Sequence, residues 1–96
     1  MARYALLMKY TDKGIAAIKE SPARAAEFKA AATKLGVTLE SVFWLQGEYD
    51  GLIVLSAPTE EAVTVLTLQL ASKGYLRTCL CRAYDESEFK AIAAKL

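Results

Sequence analysis

The stretch that most constrains the fold is the middle of the chain, residues 37–57. There "VTLESVFWLQ" and "LIVLSA" flank the glycine-bounded turn "GEYDG". Alternation marks the first segment as a strand, and the second is apolar without a polar break until Ser56. Two strand patterns across a short loop bounded by Gly47 and Gly51 read as a β-hairpin. With strict alternation, Val37, Leu39, Ser41, Phe43 and Leu45 share one face of the first strand, and Thr38, Glu40, Val42, Trp44 and Gln46 share the other.

The flanks of this hairpin are alike in layout. "RYALLMKYT", residues 3–11, reads as a strand apolar on both faces, with Tyr4, Leu6 and Met8 on one and Ala5 and Leu7 on the other. "DKGIAAIKE" predicts a short helical turn, and Ser21-Pro22 restarts the chain, with Ser21 expected as N-cap and Pro22 in the first helical turn. Ala25, Phe28, Ala32 and Leu35 then form one helical stripe that ends at Gly36. After the hairpin, Thr59 is the expected cap of a second long helix, with Glu60 and Glu61 in its first turn. Val63, Leu66 and Leu70 make its stripe, Val65 and Leu68 widen it, and Gly74 ends it. "YLRTCLCRAY" is a fourth strand. Asp85 and Glu88 have capping-box spacing before a short final helix carrying Phe89, Ile92, Ala93 and Leu96. The order β-α-β-β-α-β-α predicts an α+β, ferredoxin-like fold over a single domain, residues 1–96. Its antiparallel four-stranded sheet has order 4-1-3-2, with both main helices on one face.

Composition narrows the function classes. The net charge is +1 and the basic residues are scattered, so neither a nucleic-acid stripe nor an acidic tail is present. No apolar run reaches membrane-spanning length, and "MARYALLMKY" lacks a cleavage site, so a cytoplasmic location is expected and no membrane partner. There is no histidine, which removes the ordinary neutral-pH acid/base and a conventional triad. Cys79 and Cys81 point to one strand face with Cα atoms about 6.5–7 Å apart, at the far edge of disulfide reach. No third thiol or imidazole completes a metal site, so the pair reads as two small apolar core residues, and no metal or cofactor is expected.

A hydrophobic content of 54% is high for so short a chain. In an antiparallel sheet covered by helices on one face, the other face of a monomer should be polar. Here Leu52 and Val54 point opposite to Ile53 and Leu55, and both pairs are apolar. Either the final helix covers part of that second face, or a second copy does, sheet to sheet. The homo-oligomer is the simpler expectation.

Seven residues are candidates for a ligand site: Lys9, Tyr10, Trp44, Glu48, Tyr49, Asp50 and Arg77. Lys9 and Arg77 lie inside strands, where on a buried face each would need an anion, and otherwise reach the rim. Trp44 is an apolar anchor whose indole N–H needs an acceptor. Glu48, Tyr49 and Asp50 either close the hairpin or project into a cleft between subunits. The ligand expected is a small anion or an amino-acid-like molecule, bound at the sheet or subunit interface. A cofactor-free enzyme using a carboxylate–tyrosine pair such as Asp50 with Tyr10 or Tyr49, and a scaffold without a pocket, stand as alternatives.

"KYTDKGIAAIKESPAR", "VFWLQGEYDGLIVLSAP" and "LRTCLCRAYDESEF" together resemble the GYD domain family, named for a Gly-x-Tyr-Asp turn that falls here on Gly47, Tyr49 and Asp50. The resemblance runs from Tyr4 to Leu96. It implies a dimeric α/β-barrel arrangement, with ferredoxin-like domains pairing through their sheets, and no established activity. "GEYDGLIVL" is also similar to a hairpin of the ligand-binding domain of leucine-responsive transcription regulators, which implies an amino-acid effector near the turn.

Overall fold

The computed structural model describes all residues, Met1–Leu96. Strand β1 (Ala2–Tyr10) leads through helix α1 (Asp12–Ala16) and a 3-10 turn (Ile18–Glu20) into helix α2 (Ser21–Lys34). The hairpin follows as β2 (Thr38–Trp44) and β3 (Gly51–Ala57), then α3 (Glu60–Ser72), β4 (Leu76–Ala83) and α4 (Glu86–Ala93). The sheet has order β2-β3-β1-β4 with every neighbour antiparallel, which is the 4-1-3-2 order expected from the pattern.

Both faces of β1 and β3 are apolar, and the two long helices decide which one becomes the core. Tyr4, Leu6, Met8, Ile53, Leu55 and Ala57 are buried on one side, beneath Phe28 and Ala32 of α2 and Val63 and Leu66 of α3. Leu6, Leu55, Leu66 and Val63 lose essentially all exposure. Each such side chain contributes about 1.5–3 kcal/mol by leaving water. The helix ends follow the sequence signals in part. Thr59 accepts from Ala62 N–H at 3.1 Å. Asp85 and Glu88 form the reciprocal capping box, at 2.7 and 3.1 Å. Gly36 and Gly74 close α2 and α3 at φ 71 and 83, the left-handed region that favours glycine.

Several expectations are corrected. Val65 and Leu68 are exposed and do not widen the buried stripe of α3. Cys79 and Cys81 lie on the open face of the sheet and not in the core. Ser21 does not cap α2. It lies inside the helix, Glu20 takes the cap position, and the serine hydroxyl is used elsewhere. Strict alternation along β2 also fails, because a β-bulge passes the register from Leu39↔Leu55 to Ser41↔Val54. The extra residue places Leu39, Val42 and Trp44 together on the helix side, opposite Leu55, Ile53 and Gly51, and turns Ser41 and Phe43 to the open side. Glu40, at the bulge, holds Arg3 at 2.8 and 3.3 Å.

The open face carries Ala5, Leu7, Leu52, Val54, Cys79 and Cys81, with Lys9 and Arg77 toward one end. Helix α4 leaves its apolar stripe unburied: Phe89 is 59% exposed, and Ile92 and Leu96 are also exposed. No helix is long and apolar enough to cross a membrane.

Candidate functional site

A cavity of about 320 Å³ lies on the helix side of the sheet, at the end where the 47–51 turn is found. Its floor is the C-terminal end of β1 and β2 and the start of β3 and β4, with Met8, Val42, Trp44, Ile53 and Leu76. Its roof is the first half of α2 and the last half of α3, through Phe28, Leu66 and Leu70. The space follows from residue size. Ala25 and Ala31 occupy positions on α2 that face the cavity, and longer side chains there would fill it.

A short hydrogen-bond chain builds one wall. Ser21 Oγ lies 2.8 Å from the Tyr10 hydroxyl and accepts the Trp44 indole N–H at 3.0 Å. The serine that seemed a helix cap therefore joins β1, α2 and β2, and the indole finds its required acceptor. Asp50 fixes the adjoining edge. Its Oδ2 accepts the Tyr10 backbone N–H at 2.8 Å, its own N–H donates to the Met8 carbonyl at 2.8 Å, and its carbonyl accepts Leu45 N–H at 2.8 Å. The carboxylate thereby continues the β1 ladder one step past its last backbone pair, Met8↔Gly51. Asp50 meets the Tyr10 backbone and not its phenol, so the carboxylate–phenol couple considered for proton transfer is not formed with Tyr10.

The glycines of the turn act differently from each other. Gly47 has φ 152 with nothing near it, whereas Gly51 begins β3 and gives room to Met8, whose methyl would lie 2.9 Å from an added Cβ. At the far edge of the cavity, Thr11 caps α1 and donates from Oγ1 to the Gly74 carbonyl at 2.5 Å, while its N–H donates to the Tyr75 carbonyl at 3.1 Å.

The candidate residues fall into two groups. Tyr10, Trp44 and Asp50 line the cavity. Lys9, Glu48, Tyr49 and Arg77 do not. Lys9 projects from the open face, 3.9 Å from a Glu48 carboxylate oxygen and 5.1 Å from the centre of the Tyr49 ring. Arg77 stands cross-strand from Lys9 and forms no ion pair within the chain. The polar lining residues absent from the candidates include Ser21, Arg24, Lys73 and Tyr75. Arg24 left a signal, since it stands four residues before Phe28 and so in line with the apolar stripe of α2.

Cys79 and Cys81 share the open face with their sulfurs 3.8 Å apart and unbridged. The hydrogen bond with Cys79, then burial, then the charge of Cys79 push the Cys81 thiol above its ordinary range. A raised thiol pKa favours the neutral form in the folded state. Any stability it lends is present below the ordinary thiol pKa and is lost as pH rises through the folded value. The pH midpoint for alkylation of Cys81 by iodoacetamide, read by peptide mass spectrometry, is expected above the about 8.5 of a free thiol and to fall in Cys79→Ala. A midpoint at or below the free value would contradict the thiol pairing.

No curated protein matches the chain. The family model of the GYD domain matches residues 4–93, which covers the sheet, both long helices and the hairpin turn. The chain belongs to the GYD domain family.

Proposed function

We propose that the chain is a small-molecule binding module. The ligand sits between the sheet and helices α2 and α3, and the assembly is a homo-oligomer formed through the open sheet face. The observation that carries the binding reading is the cavity beside the 47–51 turn. Its volume of about 320 Å³ falls in the range of about 300–1,000 Å³ typical of ligand pockets. It combines an apolar, partly aromatic lining with a few fixed polar groups, which is the chemistry of such pockets. The residues of the family turn support it directly, since Asp50 sets the position of Tyr10 and the Tyr10 hydroxyl meets Ser21.

The assembly reading is supported by the open face. Leu7, Leu52, Val54 and Phe43 lie on the side away from both main helices, and α4 leaves Phe89 and Ile92 exposed instead of folding its stripe away. Sedimentation at micromolar concentration is expected to give an oligomer in the wild type and a monomer in Val54→Lys, which sets a charge in the middle of that face. A wild-type monomer at that concentration would contradict sheet pairing.

Binding is tested by a thermal-shift screen with organic acids, amino acids and small aromatics on the wild type and on Ala25→Phe, which fills the cavity. A ligand present at a hundred times its Kd stabilises by about 2.7 kcal/mol. For a domain of this size that raises Tm by about 10–20 °C. The shift should vanish in the filled variant. No shift across the panel in the wild type would overturn the binding reading.

A further inference from the structure

We infer that the cavity takes an aryl carboxylate, with its ring among the apolar walls and its anionic head at the mouth formed by Arg24, Lys73 and Tyr75. This inference rests on the binding reading above and adds a charge and a ring to the ligand. The ring follows from the lining. Phe28 and Trp44 face the same space as Tyr10 and Tyr75, so flat aromatic surface meets flat aromatic surface.

The charge follows from an imbalance around the mouth. The lining holds two cations, Arg24 and Lys73, and one carboxylate, Asp50. Asp50 sits on the strand floor, where Oδ2 already accepts the Tyr10 N–H at 2.8 Å. Lys13 adds a third positive charge just outside, with Nζ 4.5 Å from the centre of the Tyr75 ring and 3.1 Å from the Lys73 carbonyl. Arg24 lies over the same ring at 4.2 Å and donates to the Ala17 carbonyl at 3.2 Å. These two contacts fix the guanidinium plane and leave further N–H donors of the fork without a carboxylate.

Neither Lys13 nor Arg24 has an acidic partner. Glu27 reaches Lys73 only as a loose, half-exposed pair at 3.6 Å, which a ligand head can displace. Three cations with one surface carboxylate among them give the mouth a positive field, and the apolar walls behind it leave that field poorly screened. A neutral ligand would gain nothing from this arrangement, and a cationic one would be repelled.

The test compares three probes of one shape by calorimetric titration at neutral pH: 2-naphthoate, 2-naphthol and 2-naphthylmethylammonium. Naphthoate is expected to bind at least about tenfold more tightly than naphthol, as a charge-assisted hydrogen bond supplies. The ammonium should be weakest. Lys73→Gln, on the rim, and Arg24→Gln should each lower naphthoate affinity more than naphthol affinity, and so shrink the naphthoate preference. Arg24→Lys, which keeps the charge, should retain part of it. Equal binding of naphthoate and naphthol, or a tighter ammonium, overturns the anion preference and leaves cavity binding standing. No binding of any of the three overturns both.

Discussion

Gly14→Ala is expected to be the most damaging single-methyl change in the chain. A Cβ built on Gly14 falls 2.0 Å from the Tyr75 carbonyl oxygen and 3.0 Å from its carbon, so the obstruction is backbone and not a side chain that can turn aside. Neither partner is free to retreat. The Tyr75 carbonyl accepts the Thr11 N–H at 3.1 Å, and Thr11 both caps α1 and binds the Gly74 carbonyl. Relieving the clash breaks that lacing between the end of β1 and the start of β4. Overpacking costs about 1–3 kcal/mol and occasionally more; a fixed backbone neighbour puts this change at the upper end, about 3 kcal/mol, a fall in Tm of about 12–24 °C for a domain of this size. Gly74→Ala is the control. It meets only the flexible Lys13 side chain, but at φ 83 it takes the left-handed penalty of about 1–2 kcal/mol. Thermal unfolding of both variants should rank Gly14→Ala clearly below Gly74→Ala. A Gly14→Ala protein as stable as the wild type would contradict the close approach.

Asp50→Ala is expected to cost about 1.5–3 kcal/mol, because it leaves the Tyr10 N–H without its charged acceptor in a part-buried position. Asp50→Asn keeps an oxygen at the same reach and should lose only about 1 kcal/mol. Urea unfolding at constant m-value gives the two differences. Amide exchange gives the location: the Tyr10 N–H should lose protection in the alanine variant and largely keep it in the asparagine variant. Equal destabilisation by alanine and asparagine would mean that the 2.8 Å bond is not what the aspartate contributes.

These two positions show what could be read from the chain and what could not. The order of elements was legible because period and punctuation agree. The β1 and β3 runs mark strands, though their two apolar faces leave the core side open, Gly36 and Gly74 end the long helices, and the Thr59 and Asp85 caps form as their spacing implies. Local rules failed where a tertiary partner competed for the same group. The Ser21 hydroxyl is a good cap by type, yet Tyr10 and Trp44, brought alongside by the sheet, take it instead. The bulge at Glu40 has no marker in residue type, since glutamate suits either face of an edge strand, and it moves Leu39 into line with Val42 and Trp44.

The site was legible only in fragments. Asp50 could be picked out from its place in the glycine turn, Trp44 from an indole N–H that needs an acceptor, and Tyr10 as a phenol able to pair with a carboxylate. Their grouping, and the separation of Lys9, Glu48, Tyr49 and Arg77 from them, depends on which sheet face each residue takes. The cavity is a difference between the volume the backbone encloses and the volume the side chains fill. Ala25 reads as one member of the apolar stripe of α2, and only packing shows that it and Ala31 leave space. Gly14 is the same kind of case: nothing in its neighbours indicates that a carbonyl more than sixty residues away requires the missing Cβ.

The claim that the cavity holds a ligand has a direct reporter. Trp44 is the only tryptophan, so its indole N–H gives a single resonance in a nitrogen-edited spectrum, and that N–H lies in the cavity wall, bonded to Ser21. Titration with 2-naphthol, whose neutrality separates occupancy from charge preference, should move this resonance saturably in the wild type and leave it in place in a folded Ala25→Phe protein. An indole resonance that stays fixed in the wild type up to millimolar naphthol, or that moves equally in the filled variant, would contradict a ligand in this cavity.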